Sequence, residues 1–207
     1  MPAEPSDPES LMDRASRGDR AAREELLGQY RNRLRHMIAI RLDRRLTGRI
    51  DPSDVVQDVL TEATRTLSQY LRHRPMPFYP WLRRLAWQRL VDLERRHIRS
   101  SRRSVRLEER FDMRLSDESA VSLASRLVSS ASNPSGKLIR QEMLDRVRSA
   151  LAELTERDRE IIVLRFLEEL STEETASVLE ISEGAVKSRL MRALLRLRAT
   201  LDAENDA

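Results

Sequence analysis

Apolar residues recur along the chain at spacings of three and four, and no segment keeps the alternation of a strand. The pattern predicts helices, and its breaks coincide with capping chemistry. Asp7-Pro8 reads as an N-cap and a first helical residue, where proline's missing N–H would have no partner anyway. Gly18 is a stop. Asp19 starts a second helix whose Leu26, Leu27, Tyr30, Leu34, Met37, Ile38 and Leu42 share one face, until Gly48 breaks it. Asp51-Pro52 repeats the start signal ahead of Val55, Val56, Val59, Leu60, Ala63 and Leu67, and that helix is expected to end near Tyr70. A loop with Pro75, Pro77 and Pro80 leads to a further helix from Trp81 to about Arg102.

The pattern then lapses. Eight serines lie between Ser116 and Gly136, followed by the breaker Asn133-Pro134-Ser135-Gly136. This reads as a linker with one weak helical stretch from Asp117 to Val128. Periodicity returns at Leu144, Val147, Leu151 and Leu154. Thr155 is a cap for a helix through Ile161, Ile162 and Leu164. Ser171 or Thr172 caps the next, with Glu174 and Glu173 placed for a capping box. Ser182 caps the last, which runs to about Leu201. The expected fold is all-α: two small helical domains, 10–103 and 137–203, joined by a flexible linker over 104–136, with a disordered start over 1–9 and a tail over 204–207.

Composition narrows the function. In 207 residues there are no cysteines, three scattered histidines and five glycines. No disulfide, thiol nucleophile or Cys-based zinc site is possible, and no phosphate-cradling glycine loop is present. No stretch approaches the roughly 18 apolar residues of a membrane span. The first ten residues resemble neither a signal nor a transit peptide. A cytoplasmic protein that is not an enzyme and needs no cofactor or metal is the expectation.

The net charge of +4 says little until it is read by segment. From Leu71 to Arg106 eleven arginines face only Asp92 and Glu94, a net of +9. From Glu153 to Glu180 the net is −6, and from Ile181 to Leu201 it is +4. Two basic blocks separated by acidic surface point to two contacts with a polyanion and to a second, different partner. Solvated helix faces would give the same numbers, so the blocks need chemistry beside them.

In the second basic block, Val186, Leu190, Ala193, Leu194, Leu197 and Leu201 share a face at about 100° per residue. The opposite face holds Gly184, Lys187, Ser188, Met191, Arg192 and Arg198. A short helix, a turn at Ile181-Ser182 and a longer basic helix make a helix-turn-helix pattern, with Ser182 at the start of the helix that would enter a major groove. A hairpin with a basic solvent face is the plain alternative. The stretch 154–198 resembles region 4 of bacterial sigma factors of the extracytoplasmic-function group, most specifically at Leu154 to Arg159, Leu164-Arg165, and Gly184-Ala185-Val186-Lys187-Ser188-Arg189-Leu190. The resemblance implies a domain that reads the −35 promoter element and whose leading helices sit on the flap of the polymerase β subunit. It places Ser182, Gly184, Lys187, Ser188, Arg189, Met191 and Arg192 at duplex DNA, with Lys187, Ser188 and Met191 facing bases and Arg192 a phosphate.

The first basic block is different in kind. Five of the chain's eight aromatics, Tyr70, Phe78, Tyr79, Trp81 and Trp87, lie within 18 residues beside the arginine run. Rings stack on unpaired bases and arginines follow the backbone, although some of these rings must be core. Leu82, Leu85, Ala86 and Leu93 cluster on one face of the helix, with Trp87 nearly opposite, between Arg83 and Arg84. Residues 51–63 and 78–96 resemble sigma region 2. That likeness implies a single-stranded −10 site at Arg72, Arg74, Phe78, Tyr79, Trp81, Arg83, Arg84, Trp87, Gln88 and Arg95, with the loop Arg72 to Pro80 shaping a pocket for an extruded base. The family usually has Asn where Gln88 stands, and Trp87 is unusual there. Asp54, Gln57, Asp58 and Glu62 form one acidic stripe, which the resemblance assigns to the coiled coil of the polymerase β′ subunit.

The implied function is a sigma factor that brings core RNA polymerase to promoters through −35 duplex and melted −10 strand. Regulation by an anti-sigma partner, by transcription or by modification stays open. A helix-turn-helix regulator acting without polymerase is the competing reading. A nuclease using Asp51, Asp54, Asp58 and Glu62 as metal ligands is a third, weakened because Asp51 is better used as a cap.

Overall fold

A computed structural model of the chain describes residues 7–42, 46, 48–99, 123, 146–147 and 149–203. Every regular element among them is helical, so the fold is all-α. The chain divides into two compact units, Met1–Met113 and Arg114–Ala207. The expected linker, 104–136, lies outside the described residues apart from Leu123, which is helical and buried.

Among the described residues the first unit has five helices: α1 (Pro8–Ser16), α2 (Arg20–Gln29), α3 (Arg31–Arg41), α4 (Pro52–His73) and α5 (Phe78–Arg99). The starts of α1, α2 and α4 follow the expected chemistry. The carboxylates of Asp7, Asp19 and Asp51 accept from the backbone N–H of Ser10, Ala22 and Ser53 at 3.2, 3.0 and 2.7 Å. Those bonds hold the Asp19 and Asp51 carboxyls below their ordinary range. Gly18 takes φ +95°, a turn that closes α1 and that a side chain would strain.

Three boundaries differ from expectation, the simplest being that α4 runs past Tyr70 to His73. The helix expected to run from Asp19 past Leu42 breaks at Tyr30, whose N–H turns back to Leu27 O at 3.3 Å. The apolar face continues through the break, so periodicity alone cannot register it. Helix α5 starts three residues before Trp81 and takes Pro80 into its first turn, where a missing N–H breaks no internal bond. In a continuous helix that N–H would have served the carbonyl of Met76. The hydroxyl of Tyr70 donates to it instead, at 2.8 Å.

The core of this unit is built where α3, α4 and α5 meet, with α1 packed on α2 and α4. Leu34, Met37, Ile38, Leu67, Leu82 and Leu90 are fully buried there, each worth roughly 1.5–3 kcal/mol of transfer from water. At one end Tyr30, Tyr70, Phe78, Tyr79 and Trp81 interlock, Tyr70 and Trp81 stacking with centroids 4.5 Å apart. Burial pushes the Tyr70 hydroxyl up to about 12, so it remains a donor.

In the second unit, helical residues 149–153 precede α6 (Glu156–Ile162), a π-helical turn (Val163–Leu167), α7 (Thr172–Leu179) and α8 (Glu183–Ala203). Val147, Leu151, Ile161, Ile162 and Leu164 form the core against α8. The π-helical turn had no sequence signal: Glu168 N–H reaches Val163 O at 2.9 Å, Glu169 turns left-handed at φ 57°, and the Arg165 guanidinium donates to Leu170 O.

Candidate nucleic-acid interface

The helix-turn-helix assembles as its residues require. Ser171 and Glu174 exchange bonds in a capping box, 2.8 and 3.0 Å, that starts α7. Glu180, left-handed at φ 53°, ends it, with Ile181 N–H returning to Ala176 O at 3.1 Å. Ser182 Oγ then accepts from Ala185 N–H at 3.2 Å and launches α8. Val186, Ala193 and Leu197 are buried, while Leu190, Leu194 and Leu201 are half-buried beside them. The opposite face carries Ser182, Gly184, Lys187, Ser188, Met191 and Arg192, all exposed, with Arg189 half-buried at the edge. Met191 is 61% exposed, an apolar group held in solvent by the helix's own geometry. Nothing but Ser182 Oγ, at 4.0 Å, stands near a Cβ built on Gly184, so this backbone is open to close approach.

Two bonds hold α8 from behind, from Asp158 and from Arg146, while Arg159 closes the helical segment before α6. Asp158, 5% exposed, pairs with Arg196. Arg159 gathers the carbonyls of Leu151, Ala152 and Leu154 at 2.9, 3.0 and 3.2 Å, which closes the preceding helical segment. Arg146 donates to Leu201 O at 3.0 Å. These positions were not singled out from the sequence, although Asp158 and Arg159 lie inside the Leu154–Arg159 motif.

In the first unit several of the expected residues lie inside the core. Phe78, Tyr79 and Trp81, expected beside unpaired bases, are 5, 2 and 8% exposed and form the aromatic end of the core. Arg83, expected on the open face with Arg84, is 6% exposed, whereas Arg84 is open. The reason is rotational. Leu90 is fully buried, so the buried arc of α5 runs through Ala86, Leu90 and Arg83 and not symmetrically about Leu82 and Leu85. Trp87 is thereby half-buried, with the guanidiniums of Arg41 and Arg83 at 5.4 and 5.7 Å from its ring centre. Arg33 of α3 covers the Tyr79 ring at 3.5 Å. The contributions of Arg33 and Arg41 had no local signal, because they come from another helix.

What this unit leaves open is Arg72, Arg84, Gln88 and Arg95, part of Trp87, and the loop after α4. Arg74 caps α4 in a left-handed conformation, φ 38°, with its guanidinium on Glu9 and Asp13 at 3.1 and 2.8 Å. On α4 the stripe Asp54, Gln57, Asp58 and Glu62 is exposed as a set. Asp58 is shared with Arg89 of α5, and Glu62 lies 3.7 Å from Arg65. Among the described residues no His, Asp and Glu group could hold a metal ion, and no helix is long and apolar enough to cross a membrane.

A helix-turn-helix with an open basic face, in a chain whose other unit carries an arginine-rich helix, defines a nucleic-acid-binding protein of the two-unit kind. Comparison with known proteins specifies it further. Residues 144–197 match the family described as Sigma-70, region 4. The chain is 31% identical over 175 residues to the RNA polymerase sigma factor CnrH of Cupriavidus metallidurans, covering 83% of this chain and 85% of that one. It is 30% identical over 200 residues to the ECF RNA polymerase sigma factor ShbA of Streptomyces griseus, covering 92% and 93%. A solved structure of CnrH in complex with the cytosolic domain of CnrY is similar at a TM-score of 0.53 and 26% identity, over 95% of this chain and 99% of that one. The chain belongs to the extracytoplasmic-function group of the sigma-70 family of RNA polymerase sigma factors. It is therefore a promoter-directing subunit, and the reading as a regulator acting without polymerase is not favoured.

Proposed function

We propose that the two units divide promoter recognition between them. Helix α8 enters the −35 major groove, with Lys187, Ser188 and Met191 toward base edges, Ser182 and Gly184 allowing close approach, and Arg189 and Arg192 on phosphate. In the first unit Arg72, Arg84, Gln88, Arg95 and the open part of Trp87 hold the melted −10 strand, while Phe78, Tyr79, Trp81 and Arg83 act from within by shaping that surface. The stripe Asp54, Gln57, Asp58 and Glu62 docks on the basic coiled coil of polymerase β′, and the acidic surface of the second unit meets the β flap. The chain works in the cytoplasm, carries no catalysis of its own, and is open to an anti-sigma partner.

The observation that carries this reading is the face of α8. Six exposed residues suited to a groove lie opposite a row of buried apolar ones, on a helix anchored by Asp158 and Arg146. The decisive test is transcription in vitro by core polymerase on a promoter library, with and without the chain. Enrichment of a shared −35 and −10 pair only when the chain is present is expected. Initiation indifferent to the chain would sink the proposal.

A further inference from the structure

Arg74 is one of the cations that the sequence places at the −10 strand, yet its guanidinium is already engaged. Nη1 lies 3.1 Å from Glu9 and Nη2 lies 2.8 Å from Asp13, both one turn apart on α1 and more than 60 residues away in sequence. The backbone of Arg74 is left-handed, φ 38° and ψ 57°, a conformation that costs a non-glycine residue energy and persists only where its surroundings hold it. Its N–H closes on Tyr70 O at 2.7 Å. Two residues on, the Met76 carbonyl takes the Tyr70 hydroxyl in place of the N–H that Pro80 lacks. The segment 74–77 is thus pinned at one end by α1 and at the other by Tyr70, whose ring stacks on Trp81. Helix α1 is itself seated through buried Leu11, Met12 and Ala15.

We propose that α1 is part of the −10 site: Glu9 and Asp13 hold Arg74 as a latch that sets the loop 74–77, and Arg74 is a positioning residue that does not touch the strand. This rests on the assignment of the first unit to the −10 strand. A strand phosphate would have to compete with two carboxylates already bound to Arg74, whereas a loop fixed beforehand loses less freedom when a base is captured.

The test uses holoenzyme reconstituted from core polymerase and the full chain, bound to a promoter whose −10 element is already melted. Arg74→Ala and the pair Glu9→Gln with Asp13→Asn should each weaken binding by about three- to tenfold, the size two exposed ion pairs can supply. Combining all three should cost no more than either alone. Core binding and the slope of log affinity against log salt should not move, since no phosphate contact is lost. Exchanging the charges, Arg74→Glu with Asp13→Arg, should recover most of the binding. If Glu9→Gln with Asp13→Asn binds as well as or better than the unaltered chain, the latch is wrong. A slope made shallower by about 0.7 in Arg74→Ala would place Arg74 on a phosphate and overturn it equally. Failure of the unaltered holoenzyme to select promoters would instead remove the −10 assignment on which the latch depends.

Discussion

Gly184 separates two roles that a single substitution usually confounds. It sits in the first turn of α8, exposed, and beyond its own helix backbone and chain neighbours the nearest atom to the Cβ it lacks is Ser182 Oγ at 4.0 Å. A methyl there meets no obstacle within the protein and removes glycine's conformational freedom. Gly184→Ala should leave stability unchanged or raise it by up to about 1 kcal/mol. If α8 lies in a groove, the same methyl stands between backbone and DNA, and affinity for the −35 duplex should fall. Thermal melting and a −35 binding assay on one variant check both halves; a melting gain with unaltered binding would move the DNA away from this turn. At this scale the exposed and buried positions of α8 were legible from the sequence, because both follow the period of a single helix. The first unit was less so. Arg33, Arg41 and Arg89 act on Tyr79, Trp87 and Asp58 across helix contacts, and no spacing within one helix predicts such a meeting.

Six helices of this chain begin where a side chain satisfies a first free N–H group, and those starts were legible: Asp7, Asp19, Asp51, Thr155, Ser171 and Ser182 all cap as their identities suggest. Internal breaks were not. Tyr30 interrupts no apolar face, the turn Val163–Leu167 replaces one hydrogen-bond register by another, and Pro80 joins α5 because its cost vanishes in a first turn. The capping carboxylates add a pH dependence of definite sign. Asp51 is lowered from its ordinary 3.8, chiefly by the Ser53 N–H. A group lowered in the folded state binds its proton more readily in the unfolded one. Its contribution is therefore complete above 3.8 and is lost as pH falls through the lower folded value. Asparagine caps nearly as well without titrating. Asp51→Asn should keep helicity at neutral pH and flatten the acid limb of a stability profile followed by circular dichroism. An acid limb identical to that of the unaltered chain would assign the loss to other carboxylates, Asp19 first.

The whole molecule carries +4, but the charge is apportioned: +9 over 71–106, −6 over 153–180 and +4 over 181–201. The structure alters the meaning of the first figure more than the others. Arg83 is buried and Arg74 and Arg89 are bound to carboxylates of their own unit, so fewer cations face outward than the sequence total suggests. The basic face of α8, by contrast, is open along its first turns. Each compact unit has its own core, Arg84 lying in the first and Lys187 in the second. Substitutions in groups without shared partners add to within about 0.5 kcal/mol. Lys187→Ala should cost about 1–3 kcal/mol in promoter binding if it reads a base, and should relax preference at one −35 position. Arg84→Ala should weaken binding without changing sequence preference and flatten the salt slope by about 0.7 for a single-strand phosphate. The double variant, measured in holoenzyme at one salt concentration, should show the sum. A shortfall or excess above about 1 kcal/mol would mean that the −35 and −10 contacts are made as one coupled event, and that the division between the two units describes the fold but not the energetics of recognition.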